Sequence, residues 1–372
     1  MAMTPDALPP LAYGRAITWI AFSLTAIGVL MIYSASTFWG AAKFDDPAVF
    51  LKRQLVGVAL GFAVFLLCAR LPVSFWSRRA GLVLLSALAL LALVLVAGSR
   101  FNGARRWIRF LGFGFQPTEF AKLAVVVWAA AIAVRKGPAL SRFREGFIPA
   151  VLPVVAVCGL TLLEPDFGTC LFLGGLGMLV LILGGLRMSH LMTAGVALVA
   201  VVTVFMLTRF EYIRDRISFF AGEQESYQVR QAFIALGSGG LAGRGIGAGA
   251  GKLFFLPEVA GDFIFPSIGE EIGFLGVCLV VSLFMAFVWC GYRIARLALP
   301  FDRFAFLLGM GLTAWVGFQA VVNLAVVSGS APTKGIALPF ISYGSSSLVV
   351  CLAASGILLS VARAAEARRD AA

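Results

Sequence analysis

The sequence predicts an all-α integral membrane protein with about ten transmembrane helices and a long extracytoplasmic loop between helices 7 and 8. Three observations lead there. Stretches of roughly 20 apolar residues, the length that a hydrocarbon core of about 30 Å requires, recur along the chain. The 372 residues are 60% hydrophobic and only 13% charged, with a mean hydropathy of +0.97, more apolar surface than a soluble fold of this size hides. Most of the unusual polar residues also gather at one side of the apolar stretches, so the chemistry is expected at one membrane face.

The spans are expected near 17–35, 54–69, 80–97, 119–134, 148–163, 168–186, 191–207, 265–290, 304–327 and 345–362. Each should be helical, because lipid offers an unpaired backbone no partner. No linker, low-complexity tract or internal repeat divides the chain. Residues 17–362 therefore read as one polytopic domain, with a large loop over 208–264 and tails over 1–16 and 363–372. Met1–Arg15 lacks the layout of a cleaved signal peptide, so the first span reads as a retained anchor.

Ten spans put both ends on one side. With those ends in the cytosol, the inner loops hold fifteen of the thirty Lys and Arg residues. Six of the outer fifteen lie in the long 208–264 loop, which the positive-inside rule discounts, and the remaining fifteen against nine favours cytosolic ends. The net charge of +12 is then mostly topological, and no basic-aromatic array argues for nucleic acid. The six cysteines fall within or at the ends of apolar spans without metal-ligand spacing and read as small core residues. His190 is the single histidine, which excludes a histidine-based triad or a multi-histidine metal site.

Taken in order, the polar elements begin with the outer loop Gly98–Phe120. It carries Arg100, Arg105, Arg106 and Arg109 around Trp107. Positive charge in a short outer loop opposes the topology rule. It suits either an anionic ligand held by guanidinium forks or attraction to lipid headgroups with Trp107 as interface anchor. Pro117 opens the fourth span, and Glu119 and Lys122 follow three residues apart on one helical face. They read as a structural ion pair or as the wall of a polar cavity. Asp166 either caps the sixth helix or faces ligand.

The 208–264 loop contains GSGGLAGRGIGAGAG (237–251), whose spacing and context do not fit a nucleotide fingerprint. Its glycines suit tight turns or close backbone approach. Asp262 stands before Phe263-Ile264-Phe265, where partial desolvation should make it a better base. Glu270 and Glu271 are expected in the first turn of the eighth helix, where the macrodipole favours acids. The last outer loop, 328–347, is broken by Pro332, Gly335, Pro339 and Gly344; it carries Lys334, and Ser345 to Ser347 can cap the tenth span. It is expected in the same vestibule as Arg109 and Asp262.

GARRWI, QPTEFAK, EPDFGT, YQ, GSGGL, LPE, DFIF, IGEE, PTKG and LPFISYG occur in this order between about Tyr33 and Ser360. In these motifs the chain resembles the SEDS family (shape, elongation, division and sporulation), its division branch more than its elongation branch. It departs from the family in Ala260-Gly261, where a bulkier pair is common, in SYGSSS for the usual SYGGSS, and in the extra glycines of 244–251.

The resemblance implies a ten-span glycosyltransferase that polymerises peptidoglycan glycan strands from lipid II, a disaccharide-pentapeptide on undecaprenyl diphosphate. Asp262 matches the family's essential aspartate and is expected to be the general base. Arg105, Arg106, Arg109 and Lys122 are expected to bind the diphosphate and stabilise its departing charge. Glu119 would line the cavity or hold Lys122, and Asp166, Lys334 and Ser346 complete the candidate substrate-binding set. No cofactor is established; a divalent cation, Mg or Mn, bridging carboxylate and diphosphate is compatible with the chemistry.

The implied partners are a class B penicillin-binding protein (a transpeptidase), other division proteins and membrane lipids. The implied location is the bacterial cytoplasmic membrane, with both termini cytoplasmic and the active site extracytoplasmic. Two other classes share these residues: a lipid II flippase and a non-catalytic division-complex scaffold.

Overall fold

The computed structural model describes residues 8–101, 104–110, 113–190, 192, 195, 227–249, 260–331 and 335–371. Most of the seventh expected span (191–207) and of the loop that follows it, and Lys334, lie outside the described residues. Among the described residues, eight helices are long and apolar enough to cross a membrane, and a ninth apolar helix of 17 residues is shorter.

Helix α1 (Pro10–Phe44) runs seven residues further towards the N-terminus than the apolar pattern predicts. Proline at the first helical position is pre-organised for a helix start and lacks only an N–H that has no partner there. The start also packs: Leu11 N donates to Glu366 Oε2 at 3.1 Å, so residues assigned to the two tails are helical and meet each other. α2 (Val49–Arg70) and α3 (Val73–Ala97) follow.

The loop Gly98–Phe120, for which the sequence suggested no regular structure, holds a small antiparallel sheet of β1 (Ser99–Phe101), β2 (Ala104–Phe110) and β3 (Phe113–Phe115), in that spatial order. Its alternation is too short to stand out among apolar spans. Arg100 pairs with Arg105, and Arg109 with Gly114.

α4 (Pro117–Lys136) leads through a 3₁₀ turn and a π turn to α5 (Ile148–Leu163). α6 (Phe167–Leu183) is capped by Asp166, whose carboxylate accepts from Thr169 N at 3.1 Å and Thr169 Oγ1 at 2.9 Å, as one of its two sequence readings expects. α7 (Tyr227–Ser238), α8 (Ile264–Ala298), α9 (Arg303–Val327) and α10 (Ser345–Asp370) complete the chain.

α10 is the central helix: 83% of its apolar window is buried inside the protein, against 22% for α2 at the lipid-facing periphery. It packs on α1, α2, α4, α8 and α9. The hydrogen bonds between helix ends define two faces. One gathers the β-sheet, the start of α4, the α5–α6 turn, the start of α8 and the start of α10. The other gathers the start of α1, the α2–α3 and α8–α9 turns and the end of α10. Both ends of the described chain therefore lie opposite the sheet.

Glu270 and Glu271 are in the second turn of α8, not the first, because the helix already begins at Ile264. A break at Gly273 (φ 78°) follows them. The glycine-rich segment folds onto this break, as its close-approach reading expects. Gly245 N donates to the Glu271 carbonyl at 3.0 Å, and a side chain on Gly243 would collide with that same carbonyl. Glu271 is buried; it takes both Ser34 Oγ of α1 (2.6 and 2.7 Å) and Gly247 N (2.9 Å). These hydrogen bonds satisfy the buried carboxyl group and tie α1 and the glycine loop to the segment that emerges from Asp262.

Candidate functional site

Asp262 lies in the turn immediately before α8, half-buried. Two hydrogen bonds stitch this turn to the loop before α10, and a third ties it to α9. Tyr343 N donates to Ala260 O (2.8 Å), Ser342 Oγ to Gly261 O (2.8 Å) and Asn323 Nδ2 to Asp262 O (2.9 Å). The carboxylate meets the loop at Gly335, where an added Cβ would stand 2.8 Å from Oδ2. The expected company of Asp262 and the last loop is thus present from Gly335 onward.

Asn323 also donates to Ile336 O at 2.8 Å. One turn earlier on the same face of α9, Gln319 Nε2 donates to the next carbonyl, Ala337 O, at 2.8 Å. Gln319 Oε1 in turn accepts from Trp315 Nε1 and Lys122 Nζ, both at 2.9 Å. Lys122 completes the network with an ion pair to Glu119 at 2.7 Å. The ammonium also lies 5.6 Å from the centroid of Phe172 and 5.9 Å from that of Trp315. Both members of the pair are buried, so the pair is structural in form and also stands one hydrogen-bonded step from the Asp262 loop. α9 thereby carries a polar ladder linking the carboxylate's loop to a buried cation.

The arginines of β2 divide by role. Arg105 Nη1 donates to Leu95 O and Val96 O, both at 3.0 Å, at the end of α3. Arg106 donates from Nε to Glu164 O (3.0 Å) and from Nη2 to Pro165 O (2.5 Å), at the end of α5. Helix C-termini leave carbonyls without intrahelical partners, and a guanidinium is a favourable cation there. Arg109 is exposed and makes no such contact among the described residues. Ser346 fastens the sheet to α10: its Oγ donates to Gly114 O (2.9 Å) and accepts from Gln116 N (3.1 Å).

Beneath Arg106, the Glu164 side chain is fully buried and neither carboxyl oxygen has a hydrogen-bond partner among the described residues. Burial first, and then the neighbouring Asp166 charge, push its carboxyl up to about 8, against the pull of Arg106. On the other side of the α10 start, burial raises the Tyr343 phenol while Arg53 of α2 opposes the rise.

The site residues that sequence reasoning passed over are Gln319, Asn323, Ser342, Glu164 and Arg53. Gln319 and Asn323 did leave a signal: two amides four residues apart inside an otherwise apolar span, where polar groups are costly and usually functional. Among the described residues no group of three or more His, Cys, Asp or Glu side chains is placed to hold a metal ion.

Comparison with known proteins adds a consistent picture. Residues 15–367 match the family model FTSW_RODA_SPOVE, described as cell cycle protein. The chain is 40% identical over 357 residues to "Probable peptidoglycan glycosyltransferase FtsW" of Geobacter metallireducens, covering 94% of each. It is 35% identical to "Stage V sporulation protein E" of Bacillus subtilis, covering 92% of this chain and 95% of that one. Among solved structures it is similar to a chain of a peptidoglycan synthase complex that coordinates polymerization and crosslinking. That match has a TM-score of 0.75 and 29% identity, and covers 94% of this chain and 97% of the other. It is also similar to the crystal structure of Thermus thermophilus rod shape determining protein RodA, with a TM-score of 0.66 and 30% identity, covering 93% and 95%.

Proposed function

The chain belongs to the FtsW/RodA/SpoVE family of cell cycle proteins, and on that footing we propose that it is a peptidoglycan glycosyltransferase polymerising lipid II during cell division. The observation that carries the mechanism is the seating of Asp262 in a turn fixed by three hydrogen bonds at the membrane face.

Asp262 acts as general base. Its carboxylate takes the proton of the attacking sugar hydroxyl as the new bond to the anomeric carbon forms and the bond to the lipid diphosphate breaks. The configuration at that carbon inverts. The departing diphosphate concentrates negative charge, which cations aimed at it stabilise. Arg109 is an exposed cation of the sheet and takes the direct role. Arg105 and Arg106 hold the sheet on α3 and α5, keeping their remaining N–H groups for the ligand. Lys122, with Glu119, acts from within the protein by fixing the α9 ladder and its positive field. Asp166 and Ser346 shape the site by capping α6 and anchoring the sheet, and Lys334 remains a candidate contact beside Gly335.

The ends of the described chain lie opposite the Asp262 face, which with the fifteen-to-nine distribution of basic residues supports cytoplasmic ends and an extracytoplasmic site. The similarity to a chain of a synthase complex supports a class B penicillin-binding protein as partner. The test is gel analysis of lipid II products from the purified protein with its partner. Wild type should yield a glycan ladder. Asp262→Asn should keep the wild-type melting temperature and yield none; normal polymerisation by that variant would remove Asp262 from the mechanism.

A further inference from the structure

A groove of about 260 Å³ opens between α1 and α10 on the face that carries the chain ends, opposite the Asp262 site. Leu11, Thr18, Trp19 and Leu359 wall it, and Arg15 and Arg363 line it as the charged members. The two helices meet closely beside it. A Cβ on Gly14 would stand 2.8 Å from Ala362 Cβ and 2.9 Å from Leu359 Cδ1, so the furrow has fixed walls.

The charge in it is available. Arg15 is exposed and makes no hydrogen bond or ion pair among the described residues. Arg363 donates from Nη1 to Ala69 O at 3.1 Å, which orients the guanidinium and leaves its other N–H groups without a partner among the described residues. Glu366, one turn beyond Arg363, is already engaged with Leu11 N. Arg15 and Trp19 lie four residues apart on one helical face, and Trp19 is 73% exposed. An exposed tryptophan beside a cation is the pairing found at headgroup level in bilayers.

We propose that this groove is a binding site for an anionic glycerophospholipid. Arg15 and Arg363 hold the headgroup phosphate, and an acyl chain lies along Trp19 and Leu359. Basic pockets between helix ends recognise such headgroups by charge, and the hydrocarbon walls exclude a free phosphate ion as the natural occupant. The site is separate from Asp262 and stands whether or not the catalytic reading holds.

The test is native mass spectrometry of the full-length protein released from phosphatidylcholine nanodiscs doped with phosphatidylglycerol. Wild type should retain phosphatidylglycerol in preference to phosphatidylcholine. Arg15→Ala, which removes no hydrogen bond or ion pair among the described residues, should lower that retention several-fold, and Arg15→Ala/Arg363→Ala by about tenfold or more. Arg15→Lys should recover part of it. Arg144→Ala removes another exposed arginine from the same face but outside the groove, and should leave retention unchanged. The proposal is overturned if wild type shows no preference, if the double variant retains as much as wild type, or if Arg144→Ala loses as much as Arg15→Ala. It is equally overturned if inorganic phosphate alone saturates the site, or if a protein partner occupies the groove and phosphatidylglycerol is ignored.

Discussion

Gly335→Ala tests the placement of Asp262 with a single methyl group. The backbone at Gly335 is not in the left-handed region, so alanine meets no conformational penalty there. The new Cβ would stand 2.8 Å from Asp262 Oδ2, where ordinary contact begins at 3.4 Å. One side must give by about 0.6 Å. The loop is poorly placed to retreat, because Asn323 and Gln319 hold its next two carbonyls and Ser342 and Tyr343 tie its far end to the Asp262 turn. The carboxylate therefore moves. Misplacing a reacting group by about 1 Å costs on the order of a hundredfold in rate, so about 0.6 Å predicts a fall of roughly tenfold in kcat, or about 1.4 kcal/mol of transition-state stabilisation. The measurement is kcat and KM for lipid II with the partner present, beside thermal unfolding in the same detergent. The expected pattern is a lower kcat, a nearly unchanged KM and a melting temperature within about 2 °C of wild type. Gly159→Ala, whose added methyl meets nothing within 4 Å, is the control. Wild-type kcat in Gly335→Ala would refute the reasoning, because the displaced carboxylate would then not be the group that sets the rate.

Two further outcomes concern buried charge. Lys122→Met leaves the buried Glu119 carboxyl without its ion pair, with Oε2 already lacking a hydrogen-bond partner among the described residues and Oε1 newly deprived of the ammonium. Removing one member of such a pair costs about 3–5 kcal/mol, and Glu119→Gln/Lys122→Met should recover much of it; equal melting temperatures for the single and double variants would show that the pair is not what is lost. Glu164 carries a folded-state value of about 8 against an ordinary 4.5. As pH rises above 4.5 the unfolded chain releases this proton first, so stability falls from there until about 8 and levels off above it, by about 3–5 kcal/mol in all. Glu164→Gln should flatten that part of the melting-temperature profile between pH 5 and 8.5, and parallel wild-type and variant curves would mean that the buried carboxyl is not held neutral.

The fold was legible wherever hydrophobicity alone decides structure. Nine of the ten expected spans have their helix among the described residues, because a bilayer leaves an apolar segment of that length one way to pair its backbone. Their ends were less legible, since helices outlast the hydrocarbon: α1 begins at Pro10 and α10 runs to Asp370, and both extensions are set by packing between distant residues such as Leu11 and Glu366. The three-stranded sheet was missed because its strands are three to seven residues long and owe their order to Arg106, Ser346 and the helix ends beneath them. The glycine-rich segment suited tight turns or close backbone approach, and it shows both, because glycine's lack of a side chain is a local property, but that its target is the break in α8 is not written in the segment itself.

The arginines of β2 show why charge in a sequence cannot be converted directly into ligand capacity. Four arginines in an outer loop suggested either an anion site or a headgroup contact, and both readings assumed that the charge faces outward. The last carbonyls of α3 and α5 are a third claimant, and a guanidinium with five N–H groups suits it. Arg105 and Arg106 answer that claim, so the sheet rests on the helix ends, while Arg109 stands clear. The same displacement affects Lys122, whose ammonium is taken up by Glu119 and Gln319. On the proposed function, a site built this way would meet the diphosphate with few direct cations and a rigid frame behind them. Its affinity should then depend on the frame, through Ser346 and the α9 amides, nearly as much as on the charge it displays.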